Sequence, residues 1–237
     1  MPDEAGVVLS VRRQQARRRR VRRVVVAGLV ALAVLAAVWI VGFSTVLGVR
    51  DVQVDGASLV TASDVQTAAA VPSGTPLIRV DQNAVASRVV AALPEVATVT
   101  VSRHWPGTVV IHVTERSTVF QVLDGGVYHW ISADGIDFHT SQASQSVPTA
   151  AVGLDDQQLL ADLATVVASL PADLASPVVS VTAETRDSIT LTLDDGRQVV
   201  WGSADQSALK AQVIVPLLNV PGKVYDVSAP SNPAVRP

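Results

Sequence analysis

Four histidines, His104, His112, His129 and His139, are the side chains of this chain best suited to acid–base or metal chemistry near neutral pH. Their spacing suits neither. No His-Glu-x-x-His pattern occurs, and no histidine pair stands at the interval of a zinc site. Asp137 and His139 fall on one face of a candidate strand, as two members of a hydrolytic triad could. No serine in a strand–turn–helix elbow joins them. Exposed strand histidines account for the four. Asp194 and Asp195 are adjacent carboxylates; a paired acid–base site is one reading, and the Asp-Asp-Gly turn that holds them is the simpler one. The chain has no cysteine, which removes thiol nucleophiles and disulfides. No P-loop, Gly-x-Ser-x-Gly or dinucleotide fingerprint occurs. The expectation is a protein that is not an enzyme, with no metal, no cofactor and no small-molecule substrate.

The elements that position everything else begin with an apolar run. Between Arg23 and Arg50 lie 26 residues without a charge, and Val24 to Leu47 is their apolar body. At about 1.5 Å rise per residue, roughly 20 residues span the hydrocarbon core of a bilayer. Lipid offers no partner for open backbone groups, so a helix is the expected form. The run exceeds the apolar stretch of a signal peptide and leads into Gly-Val-Arg-Asp, which lacks a small-residue cleavage pattern. An uncleaved single span over 24–48 follows. Charge sets its direction. Residues 1–23 carry a net charge of +6 and residues 50–237 one of −9. Arg17, Arg18, Arg19, Arg20, Arg22 and Arg23 crowd the near side, so the tail is expected in the cytoplasm and the rest outside it. A basic run beside a span reads as a topology signal and an attraction for anionic lipid rather than as a nucleic-acid site.

Beyond the span, residues 49–116 alternate and punctuate as one small domain. Val52 and Val54 form a short strand. Val65, Ala68 and Ala69 follow at helical intervals behind Thr61 and Asp64, which have capping-box spacing. Asp81 is a candidate N-cap for a second helix with the face Val85, Val89, Ala92, stopped by Pro94. Val99 and Val101, then Val109, Ile111 and Val113, alternate as two strands around the turn His104-Trp105-Pro106-Gly107. The order is βααββ, two helices on a three-stranded sheet. Residues 117–228 read as a β-rich domain with two helices. Strands are expected at 119–123, 127–132, 136–139, 178–183, 188–193, 198–201 and 223–227. Gln142 to Pro148 is a polar link. One helix carries Leu159, Leu163, Val166 and Leu170. The other carries Leu209, Val213 and Leu217 behind Ser203 and Gln206. Residues 229–237 are expected to be a flexible tail. The fold class is α+β.

Arg103 to Arg116, RHWPGTVVIHVTER, resembles the end of the POTRA domain of the bacterial cell-division FtsQ/DivIB family. Trp105-Pro106 and Glu115-Arg116 at their mutual spacing carry the likeness. A glycine–serine turn, a helical lysine (Lys210) and the closing segment VYDVS resemble the family's β-domain. The resemblance implies a non-enzymatic scaffold of the division machinery at the septum of the plasma membrane, single-pass, with its N-terminus cytoplasmic. Implied partners are FtsB- and FtsL-like bitopic proteins and other division membrane proteins. The alternatives are a membrane-anchored envelope enzyme or sensor, which would want a catalytic constellation, and a translocation protein, which would want several POTRA modules. Trp105 reads as a turn residue capping a small core. Glu115 and Arg116 read as cross-strand or interdomain ties. Val224, Tyr225, Asp226, Val227 and Ser228 form the candidate partner site: a strand expected to pair on one side only, with Tyr225 as anchor.

Overall fold

The structure is a computed structural model that describes residues 22–36, 39 and 47–237. Residues 22–36 are helical (α1) and exposed throughout, Arg22 and Arg23 among them. Among the described residues no helix is long and apolar enough to cross a membrane. Arg17, Arg18, Arg19 and Arg20 and part of the expected span lie outside the described residues.

The chain packs as two units. One holds the described residues up to Asp55 together with Ala62–Val89 and Thr100–His112; the other holds Gly56–Thr61, Val90–Val99 and Val113–Pro237. In the first, β1 (Asp51–Asp55) pairs in parallel with the Thr108–His112 part of β3 (Thr108–Glu115), from Asp51 opposite Thr108 to Asp55 opposite His112. A parallel pair cannot be joined by a tight turn. The connection carries α2 (Ala62–Ala69), a 3₁₀ turn (Leu77–Arg79), α3 (Gln82–Ala92) and β2 (Val96–His104), and the sheet order is β1-β3-β2. This is the expected βααββ order. Asp81 caps α3 as its type predicts, Oδ1 accepting from the Ala84 amide at 3.0 Å. Val65, Ala69, Val85, Val89, Val109 and Ile111 are buried, the periodic faces of helix and strand. Gly107 admits no side chain, since a Cβ there would lie 2.8 Å from the Gly48 carbonyl oxygen. Trp105 departs from expectation: it is 53% exposed at the turn tip and caps no core. The Trp105–Pro106 bond is cis.

The second unit holds a nine-stranded sheet. In chain order its strands are β4 (Phe120–Asp124), β5 (Val127–Ile131), β6 (Asp137–Ser141), β7 (Thr149–Ala151), β8 (Val178–Thr182), β9 (Ile189–Leu193), β10 (Gln198–Gly202), β11 (Val224–Asp226) and β12 (Ala234–Arg236). In space they run β12-β11-β10-β9-β8-β7-β4-β5-β6. Gly125 and Gly126, at φ +57° and +85°, join β4 to β5 in a two-residue turn that needs both residues at positive φ. Helices α4 (Gln157–Ser169), α5 (Ala172–Ala175) and α6 (Ser207–Leu217) complete the unit. Leu159, Leu160, Leu163, Val166 and Val167 of α4 and Ile214 of α6 share one core with Phe120, Val122, Ile189, Leu191, Val199, Trp201 and Tyr225 of the sheet.

Five features differ from the sequence reading. There are three helices here, not two, because Pro171 ends α4 and then starts the one-turn α5. The polar link is pinned: buried Gln121 donates to the Gln145 carbonyl at 3.2 Å and accepts from its amide at 3.0 Å. The residues after it add β7, parallel to both β4 and β8. Helix α6 begins at Ser207 with no capping box; Gln206 stands at φ +55° with no side-chain cap. Last, 229–237 is not a free tail, since its Ala234–Arg236 segment pairs antiparallel with β11.

Candidate functional site

β11 and its surroundings build the candidate site. β10 and β11 run in parallel, Val199 opposite Tyr225, and the Val227 amide continues the ladder to the Val200 carbonyl at 2.9 Å. Strand alternation sends Tyr225 and Val227 one way and Val224 and Asp226 the other, as expected. The inward pair is buried at 1% and 0% exposure; Val224 and Asp226 are half-buried and Ser228 is exposed.

The expectation of a one-sided strand with Tyr225 as surface anchor is corrected on both counts. β12 lies on the outer side of β11, Val224 opposite Arg236 and Asp226 opposite Ala234. Tyr225 is a core residue because its register points its ring onto the helices rather than outward. Its hydroxyl lies 2.8 Å from the Val220 carbonyl oxygen and 3.0 Å from that of Gly222, one proton serving two acceptors. The Arg197 guanidinium sits 5.7 Å from its ring centroid. The polar face belongs to Asp226. Its Oδ1 accepts from the Ser228 hydroxyl at 2.6 Å and amide at 3.1 Å, and its Oδ2 faces Arg236 Nη2 at 3.3 Å. Sequence reasoning missed Arg236 and Val235, since a proline-rich tail with three strand residues gives almost no periodic signal.

Glu115 and Arg116 do not pair with each other. Glu115 Oε1 accepts three successive amides, Ser58 at 2.7 Å, Leu59 at 2.8 Å and Val60 at 3.1 Å. Burial pushes this carboxyl up, but the three donors outweigh burial and hold it below the ordinary 4.5. Arg116 donates Nε to the Pro94 carbonyl at 2.9 Å and Nη1 to Asp134 at 2.6 Å. Burial raises the Asp134 carboxyl, and the Ser132 hydroxyl and Arg116 together leave it lowered.

The Glu115 geometry makes a pH prediction. The folded carboxyl binds its proton less readily than the unfolded one, so its contribution is complete above the ordinary 4.5 and is lost as pH falls below it. Glu115→Gln is expected to cost about 1 kcal/mol at about pH 7, a modest figure because water screens the site, and to cost less at about pH 3.5. Melting curves at the two pH values check this; an equal gap at both would show that the charge is not what the amides hold.

The histidines do not assemble a catalytic set. Asp137 turns to His129, with Nδ1 and Oδ2 2.7 Å apart. His139 instead faces Glu95 at 3.6 Å and tilts against the Trp130 ring at 4.5 Å between centroids. The pairing of β5 with β6 shifts register between Trp130 and Ile131, which breaks the simple two-residue alternation expected of Asp137 and His139. Asp195 accepts from the Arg197 amide at 3.0 Å and guanidinium at 2.6 Å within its own turn. Among the described residues no group of three or more His, Cys, Asp or Glu side chains could hold a metal ion.

Comparison with known proteins divides the chain in two. Residues 47–116 match a family model described as "POTRA domain, FtsQ-type", and residues 120–227 one described as "Cell division protein FtsQ/DivIB, C-terminal". A curated protein of Mycolicibacterium smegmatis, "Cell division protein FtsQ", is 40% identical over 215 residues, 89% of this chain and 63% of that one. The chain thus spans under two thirds of that relative's length. A protein of the same name from Streptomyces venezuelae is 37% identical over 217 residues, 86% of this chain and 80% of that one. The solved extracytoplasmic domain of the bacterial division protein DivIB from Geobacillus stearothermophilus overlays with a TM-score of 0.37 at 19% identity. That overlay covers 50% of this chain and 98% of that domain.

Proposed function

The chain belongs to the FtsQ/DivIB family of bacterial cell division proteins, and on that premise we propose that it is a membrane-anchored, non-enzymatic scaffold of the division machinery. The apolar run after Arg23 is its anchor, with the arginine tail in the cytoplasm and residues 50–237 outside. The exported part gathers FtsB- and FtsL-like bitopic proteins at the septum. The domain limits are those read from the sequence, a POTRA domain over 49–116 and a β-domain over 117–228. The observation that supports this most is the match of two adjacent stretches to division-specific families directly behind an uncharged run flanked by arginine.

Two measurements test it. Protease added to intact spheroplasts is expected to digest residues 50–237 and spare the tail; a protected C-terminal part would reverse the topology. Tagged full-length protein drawn from dividing cells is expected to bring down small single-span division proteins. A pull-down holding none of them, with the bait intact at the septum, would remove the scaffold reading.

A further inference from the structure

We propose that Trp105 and Ile78 form a second membrane contact. They seat the first unit in the headgroup layer of the outer bilayer surface, around the point where the apolar run ends. This rests on the reading of that run as the membrane anchor.

No free linker separates the run from the folded unit. Leu47 closes the run, and the next two residues, Gly48 and Val49, are already buried. Two segments close on Gly48. Pro76 pairs with it in an isolated antiparallel bridge, and a Cβ at Gly107 would lie 2.8 Å from its carbonyl oxygen. Backbone bonds fix the same junction. The Val49 amide donates to the Thr75 carbonyl and the Arg50 amide to the Gly107 carbonyl, both at 2.8 Å. Gly48 is one residue past the run, about 3.8 Å of chain. The headgroup layer is about 5–8 Å deep on each side of the hydrocarbon. Segments that touch Gly48 therefore stand within that layer.

Each of these two segments carries an exposed apolar side chain. Among the described residues from Leu47 on, the large exposed apolar side chains of the first unit are Ile78 and Trp105, 48% and 53% exposed. Ile78 lies two residues past Pro76, and Trp105 two residues before Gly107. Single apolar residues scattered over a surface need no explanation. These two sit on the two segments that collar one residue, the first beyond the apolar run. Tryptophan suits the headgroup layer, since its body is apolar and its N–H is polar. Charge agrees with the placement. In the collaring segments Arg50, Arg79 and Arg103 outnumber Asp51 and Asp81, whereas residues 50–237 as a whole carry −9. The Arg50 stem runs over the hairpin tip, its Cγ 3.3 Å from where a Cβ at Gly107 would be. This end of the exported part is thus the one that an anionic lipid surface repels least. A span alone lets a domain swivel about its exit. A second contact sets which face of the first unit lies on the membrane.

Tryptophan quenching tests this on the full chain reconstituted in vesicles of phosphatidylcholine with a minority of phosphatidylglycerol. The phosphatidylcholine is brominated either near the headgroup end of its acyl chains or near their terminal methyls. The chain's tryptophans are Trp39, Trp105, Trp130 and Trp201. Trp39 lies in the run, and Trp130 and Trp201 are buried, so W39F leaves Trp105 as the exposed reporter. Shallow bromine is expected to quench the W39F chain at least about fivefold more than the W39F/W105F chain, and at least about twofold more than deep bromine does. W39F/I78S is expected to lower the shallow quenching at least about twofold. Circular dichroism matching the parent shows each variant folded. Parent and W39F chains compared under deep bromine test the anchor separately. If they are quenched alike and a carbonate wash strips the chain from the vesicles, the anchor reading fails and the second contact with it. If Trp39 is quenched and Trp105 is not, the anchor stands and the second contact is overturned, which leaves the hairpin tip to a protein partner. Deep quenching of Trp105 that exceeds shallow quenching overturns the headgroup placement. Unchanged quenching in W39F/I78S strikes Ile78 from the contact.

Discussion

Tyr225→Ala is expected to lower stability by about 3–5 kcal/mol, the range for truncating a large buried aromatic. The side chain is 1% exposed and belongs to the main core of the second unit. Its loss leaves a cavity between β11 and the helices that the sheet, fixed by β10 and β12, has little freedom to close. It also strips the Val220 and Gly222 carbonyls of their shared donor and removes the ring beneath the Arg197 guanidinium. Tyr225→Phe separates these effects. It keeps the packing and is expected to cost only about 1–2 kcal/mol, the price of one hydrogen bond with its acceptors left open. Chemical unfolding followed by tryptophan fluorescence reads both. A Tyr225→Ala chain within about 1 kcal/mol of the parent would place the ring outside the core. The result matters for mapping partners, because lost binding in Tyr225→Ala would report a damaged fold. Surface variants such as Asp226→Asn and Arg236→Glu probe this part of the sheet without that confusion.

How far this arrangement was legible in the sequence depends on which force fixed each part. The βααββ order was legible because each element announces itself locally: Asp81 before α3, Pro94 after it, and alternating Val109 and Ile111 in β3. The facing of Tyr225 and Val227 was legible from strand period alone. Their burial was not, because alternation says which residues share a face and not which face meets a core. β7 and β12, at three residues each, are too short to show a period, and both exist only through neighbours that supply the ladder. The start of α6 misled for a related reason. Ser203 and Gln206 have the right spacing, yet Lys210 takes the Ser203 carbonyl at 2.8 Å and Gln206 sits left-handed just ahead of the helix. Glu115 was legible as a structural carboxylate but not in its target, since its three amides lie more than fifty residues away in sequence.

Trp201→Ala is expected to be as damaging, again about 3–5 kcal/mol, which for a domain of ordinary stability approaches complete unfolding. Trp201 has no exposed surface and stands on β10 beneath the start of α6. Its indole Nε1 donates to Ser207 Oγ at 3.0 Å, and that hydroxyl donates onward to the Ala204 carbonyl at 2.7 Å. Helix α6 has no side-chain cap of its own, so this chain of bonds and the Lys210 ammonium on Ser203 are what tie its first turn to the sheet. Burial holds the Lys210 ammonium below its ordinary value, against the nearby charges of Asp205 and Asp187. Trp201→Phe keeps most of the packing but leaves Ser207 without its donor, and should fall between the parent and Trp201→Ala. Denaturant midpoints order the three chains, and hydrogen exchange of the α6 amides locates the damage. If Trp201→Ala unfolds with the parent's midpoint, or α6 exchanges no faster while β10 does, the indole does not secure the helix.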